Sequence, residues 1–124
     1  MILNENMLGN FVFTKRTCWE DVNLFVVSGN VNEVELLSIN SDTYSTKNWN
    51  FNNEESVQNF ITHFALLPIQ IYDLLEYGGK NVKITNIMYT QNHSEYVVRL
   101  NNLHRDTEYI NIPLRRALEL PKLS

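Results

Sequence analysis

The chain has 124 residues, 44% of them hydrophobic and 19% charged, with a formal net charge of −4. That length fits one domain, residues 1–124, on a prior of ~100–200 residues per domain, and it can bury a core without metal or disulfide staples. The acidic balance argues against generic nucleic-acid or membrane-surface binding, which shows as surplus Lys and Arg, while leaving room for a local basic patch; the one cysteine, Cys18, excludes an internal disulfide.

In chain order, Phe11-Val12-Phe13-Thr14 reads as a first short strand. Val22 to Ser28 and Val31 to Ile39 read as a hairpin joined by Gly29-Asn30, a pair that suits a two-residue type II′ turn. That turn sets Phe25 opposite Val34 and Val27 opposite Asn32. One face then carries Phe25, Val27, Val34 and Leu36, and the other, with Leu24 and Val26 against Glu35 and Glu33, is half-exposed. Ser41 to Asn53 has neither strand nor helix period, and loops of that length in small domains are often functional. A helix is expected from Asn52 or Asn53, where Asn52 and Glu55 resemble a capping box. Val57, Phe60, Ile61 and Phe64 form its buried stripe. Pro68 suits the first turn of a second helical segment, with Ile71, Tyr72 and Leu75 packing inward and Gly78-Gly79 as its stop.

Three further strands are expected at Val82 to Tyr89, Glu95 to Leu100 and Thr107 to Ile112. The first shifts its apolar phase near Asn86, as a bulge would. Pro113 to Leu120 reads as a short terminal helix, so two to three helices accompany about six strands. Strands in runs with segregated helices imply an α+β fold, a small mostly antiparallel sheet or a partly closed β-barrel.

Chemistry-bearing motifs are scarce. Cys18 has no base beside it, and His63, His93 and His104 share no metal-ligand spacing. His63 flanks the apolar stripe and reads as a partly buried, satisfied histidine. His104-Arg105-Asp106 with Asn111 matches the kinase catalytic-loop pattern, but the lysine, glycine-rich lid and metal-binding motif which that chemistry needs are missing. No cofactor, metal or catalytic residue is expected, and the chain reads as a binding protein.

The most informative segment is Asp42 to Phe51. Its aromatics Tyr44, Trp49 and Phe51 are interleaved with amides, hydroxyls and Lys47. Single-stranded RNA is gripped by such sets, with bases stacked on exposed rings, amides at base edges and cations at phosphates. Lys15 and Arg16 are a second candidate. The alternative for Trp49 and Phe51 is a satellite core cluster under the loop. Arg115 and Arg116, adjacent on a helix, splay apart and make no clamp. Asparagine occurs 18 times, which fits either AT-rich codons or recognition by amides.

Layout, acidity and asparagine content together resemble the PrgU-like proteins of conjugative plasmids. That resemblance implies a PUA-type fold and an RNA-binding regulator, possible as a homodimer, that limits transfer-gene expression. Ile112 to Leu120 is faintly similar to the end of the bifunctional nuclease family, whose other motifs are missing. The second functional class is a protein-interaction module, such as an immunity or anti-defence inhibitor, favoured by acidity and small size. No membrane partner is expected, because no apolar run reaches the ~18 residues of a span. Met1 to Asn6 lacks the pattern of a signal peptide, so the expected location is the cytoplasm.

Overall fold

The computed structural model describes residues 7–15, 23–39, 49–91 and 95–123. Its elements run β1 (Phe11–Thr14), β2 (Leu24–Asn30), β3 (Glu33–Ser38), α1 (Glu54–His63), β4 (Phe64–Leu66), β5 (Leu74–Tyr77), β6 (Lys80–Thr90), β7 (Glu95–Asn102), β8 (Arg105–Pro113) and α2 (Leu114–Leu118). They form two antiparallel four-stranded sheets, ordered β3-β2-β1-β4 and β5-β6-β7-β8. The class is α+β, but among the described residues there are eight strands rather than about six, and neither sheet closes into a barrel. The chain divides into two compact units, Met1–Leu67 and Pro68–Ser124.

In the first unit the β2–β3 hairpin forms, but its turn lies two residues beyond the expected one. Asn30 faces Glu33, and Val27 faces Leu36 rather than Asn32. Neither Val31 nor Asn32 takes a positive φ, so the corner is not a primed turn. Instead Asn30 Oδ1 accepts from the amides of Asn32 (2.9 Å) and Glu33 (3.1 Å), an Asx turn. Gly29 is displaced into the ladder at φ +92°, where a Cβ would lie 2.3 Å from the Glu33 carbonyl oxygen. A slip by an even number of residues leaves every side chain on its face. Val27, Val34 and Leu36 are therefore buried as expected, Phe25 is half-buried, and Leu24 on the opposite face is buried too.

α1 begins after Asn53, whose Oδ1 accepts from the Ser56 amide at 3.1 Å; Asn53, rather than the Asn52–Glu55 pair, supplies the cap. Glu54 and Glu55 occupy the dipole-favoured first turn. Val57 and Phe60 are buried, and Phe64 leaves the helix in extended backbone to open β4, which pairs with β1.

The second unit departs most from expectation. Pro68 to Gly79 is not a helix. The segment Gln70–Asp73 is a tight turn, with the Asp73 amide on the Gln70 carbonyl at 3.1 Å and the Gln70 amide on Asp73 Oδ2 at 2.8 Å. Leu74–Tyr77 then pairs with β6 through the two-residue loop Gly78-Gly79, whose φ values of +60° and +78° suit a type I′ turn. The bulge near Asn86 is present, as a register shift between Ile84 and Asn86. It keeps both Ile84 and Ile87 buried, which strict alternation would forbid. The chain end covers the outer edge of β5, where Glu76 N–H donates to Pro121 at 3.0 Å and Leu123 N–H to Leu74 at 2.8 Å.

Candidate functional site

The aromatic segment in the first unit is core where the structure describes it. Trp49 is 5% and Phe51 4% exposed. Trp49 bridges Val34 through two backbone hydrogen bonds (2.7 and 3.0 Å), and its ring meets Phe60 edge-on at 5.3 Å, as Phe51 does at 5.1 Å. Neither ring offers an open face to a base, so both are removed from the expected stacking platform. The reason is energetic: large rings gain most by leaving water, and Phe60 supplies edge-to-face partners for both. Lys15 is exposed, but its Nζ donates to the Ile61 carbonyl and its amide to the His63 carbonyl (3.1 Å), so it serves the last turn of α1. Arg16, Tyr44 and Lys47 lie outside the described residues, as do Cys18 and His93.

The remaining motif residues gather no chemistry. His63 is exposed rather than partly buried, with Nδ1 2.9 Å from the Asn59 carbonyl. Arg105 forms a surface pair with Glu108 at 3.1 Å, and Arg115 and Arg116 are exposed on α2. Among the described residues no three His, Cys, Asp or Glu side chains are grouped to hold a metal ion. No helix among them is long and apolar enough to cross a membrane.

Two surfaces are candidates for binding. The first is an open cleft of about 430 Å³ beside the start of α1, lined by Asn32, Glu33, Asn50, Asn53, Glu55 and Asn59 among others. Three of its amide oxygens are already engaged. Asn53 Oδ1 caps α1, Asn50 Oδ1 accepts from the Asn52 amide (2.9 Å), and Asn32 Oδ1 accepts from Asn52 Nδ2. Two carboxylates and no cation line it, which disfavours a phosphate-bearing ligand.

The second surface is the polar face of the β5-β6-β7-β8 sheet. Residues paired across strands share a face. Leu75, Val82, Ile84, Ile87, Val98, Leu100 and Ile112 form the buried side. On the other side, Lys83, Asn101 and Tyr109 form one row across β6, β7 and β8, and Asn86, Arg99 and Asn111 form the next. The bulge residue Thr85 joins them, its Oγ1 donating to Asn101 Oδ1 at 2.5 Å.

Two exposed tyrosines stand in this surface, Tyr72 at 72% and Tyr109 at 57% exposure. Each carries a cation on its ring. Lys83 Nζ lies 5.8 Å from the centroid of Tyr72, and the Arg99 guanidinium 4.3 Å from that of Tyr109. Arg99 Nε also donates to Asn111 Oδ1 at 3.3 Å, which fixes both groups. Tyr72 is displayed at a cost. Its φ of +74° falls in the left-handed region, at the turn position where Gly or Asn is usual. Such a conformation costs roughly 1–2 kcal/mol in an L-residue, and it places the ring beside Lys83.

The charge is divided to match. Met1–Leu67 holds three Lys and Arg against eight Asp and Glu, whereas Pro68–Ser124 holds seven against six. The acidity that counted against nucleic acid therefore belongs to the first unit. Sequence reasoning missed Tyr72, Lys83, Arg99, Tyr109 and Asn111. The first and last of them lie 39 positions apart, and the strand register, with the Tyr72 amide on the Ile84 carbonyl, brings the five to one face. Comparison of the chain with protein-family models, curated proteins and solved structures gave no match.

Proposed function

We propose that the protein binds single-stranded RNA without catalysing a reaction, on the polar face of the second unit's sheet. The observation that carries this reading is the pair of exposed tyrosines, each with a cation stacked on it, set among Asn86, Asn101 and Asn111. Unstacked bases lie flat on aromatic rings and guanidinium planes, amides meet their edges, and Lys or Arg meets the phosphates. A duplex hides its base faces and gains little from such a surface. A role in limiting gene expression from a mobile element, as in the PrgU-like proteins the chain resembles, extends this reading.

The test is fluorescence anisotropy of a labelled single-stranded RNA of mixed sequence with the parent protein, Tyr72→Ala and Tyr109→Ala. Each variant is expected to weaken binding by about 1–3 kcal/mol, the value of one base–aromatic stack, with its melting temperature nearly unchanged. The same sequence as a duplex is expected to bind far less. A parent protein with no affinity for the single strand, or two variants that bind as it does, would remove the reading.

The second reading is a protein-interaction module. The acid surplus of the first unit favours it, since acidic surfaces steer basic partners. It predicts a basic protein in co-purification from the native host, retained by both tyrosine variants.

A further inference from the structure

We infer that Arg99, Tyr109 and Asn111 form a guanine-selective subsite within this face. The inference rests on the RNA-binding reading and adds to it a base preference.

The hydrogen-bonding groups of this cluster point in one direction. A guanidinium carries five N–H donors and no acceptor. Arg99 directs one of them, Nε–H, at Asn111 Oδ1, 3.3 Å away. A donor on Arg99 requires an acceptor on Asn111, which settles the orientation of that amide. Its oxygen faces Arg99 and its Nδ2–H₂ faces away. The Arg99 Cζ lies over the Tyr109 ring, 4.3 Å from its centroid, and with Nε on Asn111 its Nη groups remain for a ligand. Among the described residues no carboxylate within ion-pair distance claims them, for Glu108 pairs with Arg105 and Asp73 with Lys122. What Arg99 and Asn111 present outward is thus a set of donors beside the Tyr109 ring.

Base edges differ in what they return. The N7 and O6 of guanine are two adjacent acceptors, the match for a guanidinium fork. Adenine places an N6 amino donor beside its N7 and beside its N1, so either edge sets donor against donor, whereas cytosine in a single strand also offers the adjacent acceptors N3 and O2. Uracil offers the single acceptor O4. Guanine is therefore expected to be preferred over adenine. Asn111, on the edge strand β8, is exposed and Arg99, on the neighbouring β7, is half-exposed, so both are open to solvent. Tyr72 and Lys83, on the far side of the face, would take a neighbouring nucleotide and its phosphate.

The test uses a short labelled uridine tract and versions of it with one central guanosine, adenosine, inosine or deazaguanosine, the last carrying C–H in place of N7. The parent protein is expected to bind the guanosine version about tenfold or more tighter than the adenosine version. Inosine, which keeps N7 and O6, should match guanosine, and deazaguanosine should lose most of the preference. Arg99→Lys keeps the charge and removes the fork. It should weaken the guanosine version well beyond the plain uridine tract and bring guanosine and adenosine level. Asn111→Asp, which would hold Arg99 in an ion pair, should do the same by a second route. Equal binding of guanosine and adenosine by the parent, or a preference that survives Arg99→Lys, would overturn the subsite while leaving the RNA-binding face in place. Failure to bind every one of these strands would overturn both.

Discussion

The two units use aromatic residues in opposite ways. In the first, Trp49 and Phe51 close on Phe60 and are shut away from solvent. In the second, Tyr72 and Tyr109 stand in water with Lys83 and Arg99 on their rings. The chemical difference is the phenol. A phenyl ring has no polar atom to leave in water, and Trp49 is held inside by its backbone bridge to Val34, while a tyrosine keeps a polar tip that water can hydrate. An exposed ring stacked with a cation contributes little to folding, so a surface that holds two of them, one on a strained backbone, points to a role outside stability. The comparison also shows why aromatic residues interleaved with amides are a weak sign of a stacking surface. Trp49 and Phe51, the described rings of the segment with that composition, pack inward, and the exposed rings come from a turn and an edge strand of unremarkable sequence.

The comparison can be broken at several depths. The largest effect is expected from Trp49→Ala. Loss of this ring from the core should cost about 3–5 kcal/mol in denaturant melts, with RNA affinity of the folded fraction unchanged. A cost below ~1 kcal/mol together with weakened RNA binding would return Trp49 to the surface and reverse the roles of the units. Gly29→Ala comes next. It adds left-handed strain and a clash with the Glu33 carbonyl, and should cost roughly 2 kcal/mol by the same melts, again with RNA binding intact. Tyr72→Gly sharpens the contrast from the other side. It relieves a strained turn and removes a ring, so stability should stay within about 1 kcal/mol of the parent while RNA affinity falls. A substantial loss of stability would mean that the ring serves packing. The smallest effect is expected from Lys15→Ala, which removes a cation from the end of α1. About 0.5 kcal/mol of stability should be lost, with no change in the salt dependence of RNA binding.

Local signals were legible where local physics decides. The α1 stripe, the β6 bulge and the buried face of the first hairpin follow from apolar spacing, and that face survived a misplaced turn because the slip was even. Pro68 to Gly79 was misread because Ile71, Tyr72 and Leu75 also fit a helical period. The better signal was Gly78-Gly79 between two strand-like runs, which marks a two-residue hairpin as readily as a helix stop. The polar face could not be read at all from composition. Arg99 meets Tyr109 only as a diagonal neighbour across β7 and β8, and that register includes a shift between Asn101 and Asn102 which no short-range pattern specifies.

The central claim, that the polar face of the second unit's sheet is the RNA surface, is tested most directly by mapping backbone amide chemical shifts while a single-stranded RNA is titrated into the parent protein. The account predicts that the largest changes fall at Tyr72, Lys83, Asn86, Arg99, Asn101, Tyr109 and Asn111, and that Trp49, Phe51 and the cleft beside α1 stay still. Changes centred on Asn50, Asn53 and Asn59, or no change at saturating RNA, would contradict it.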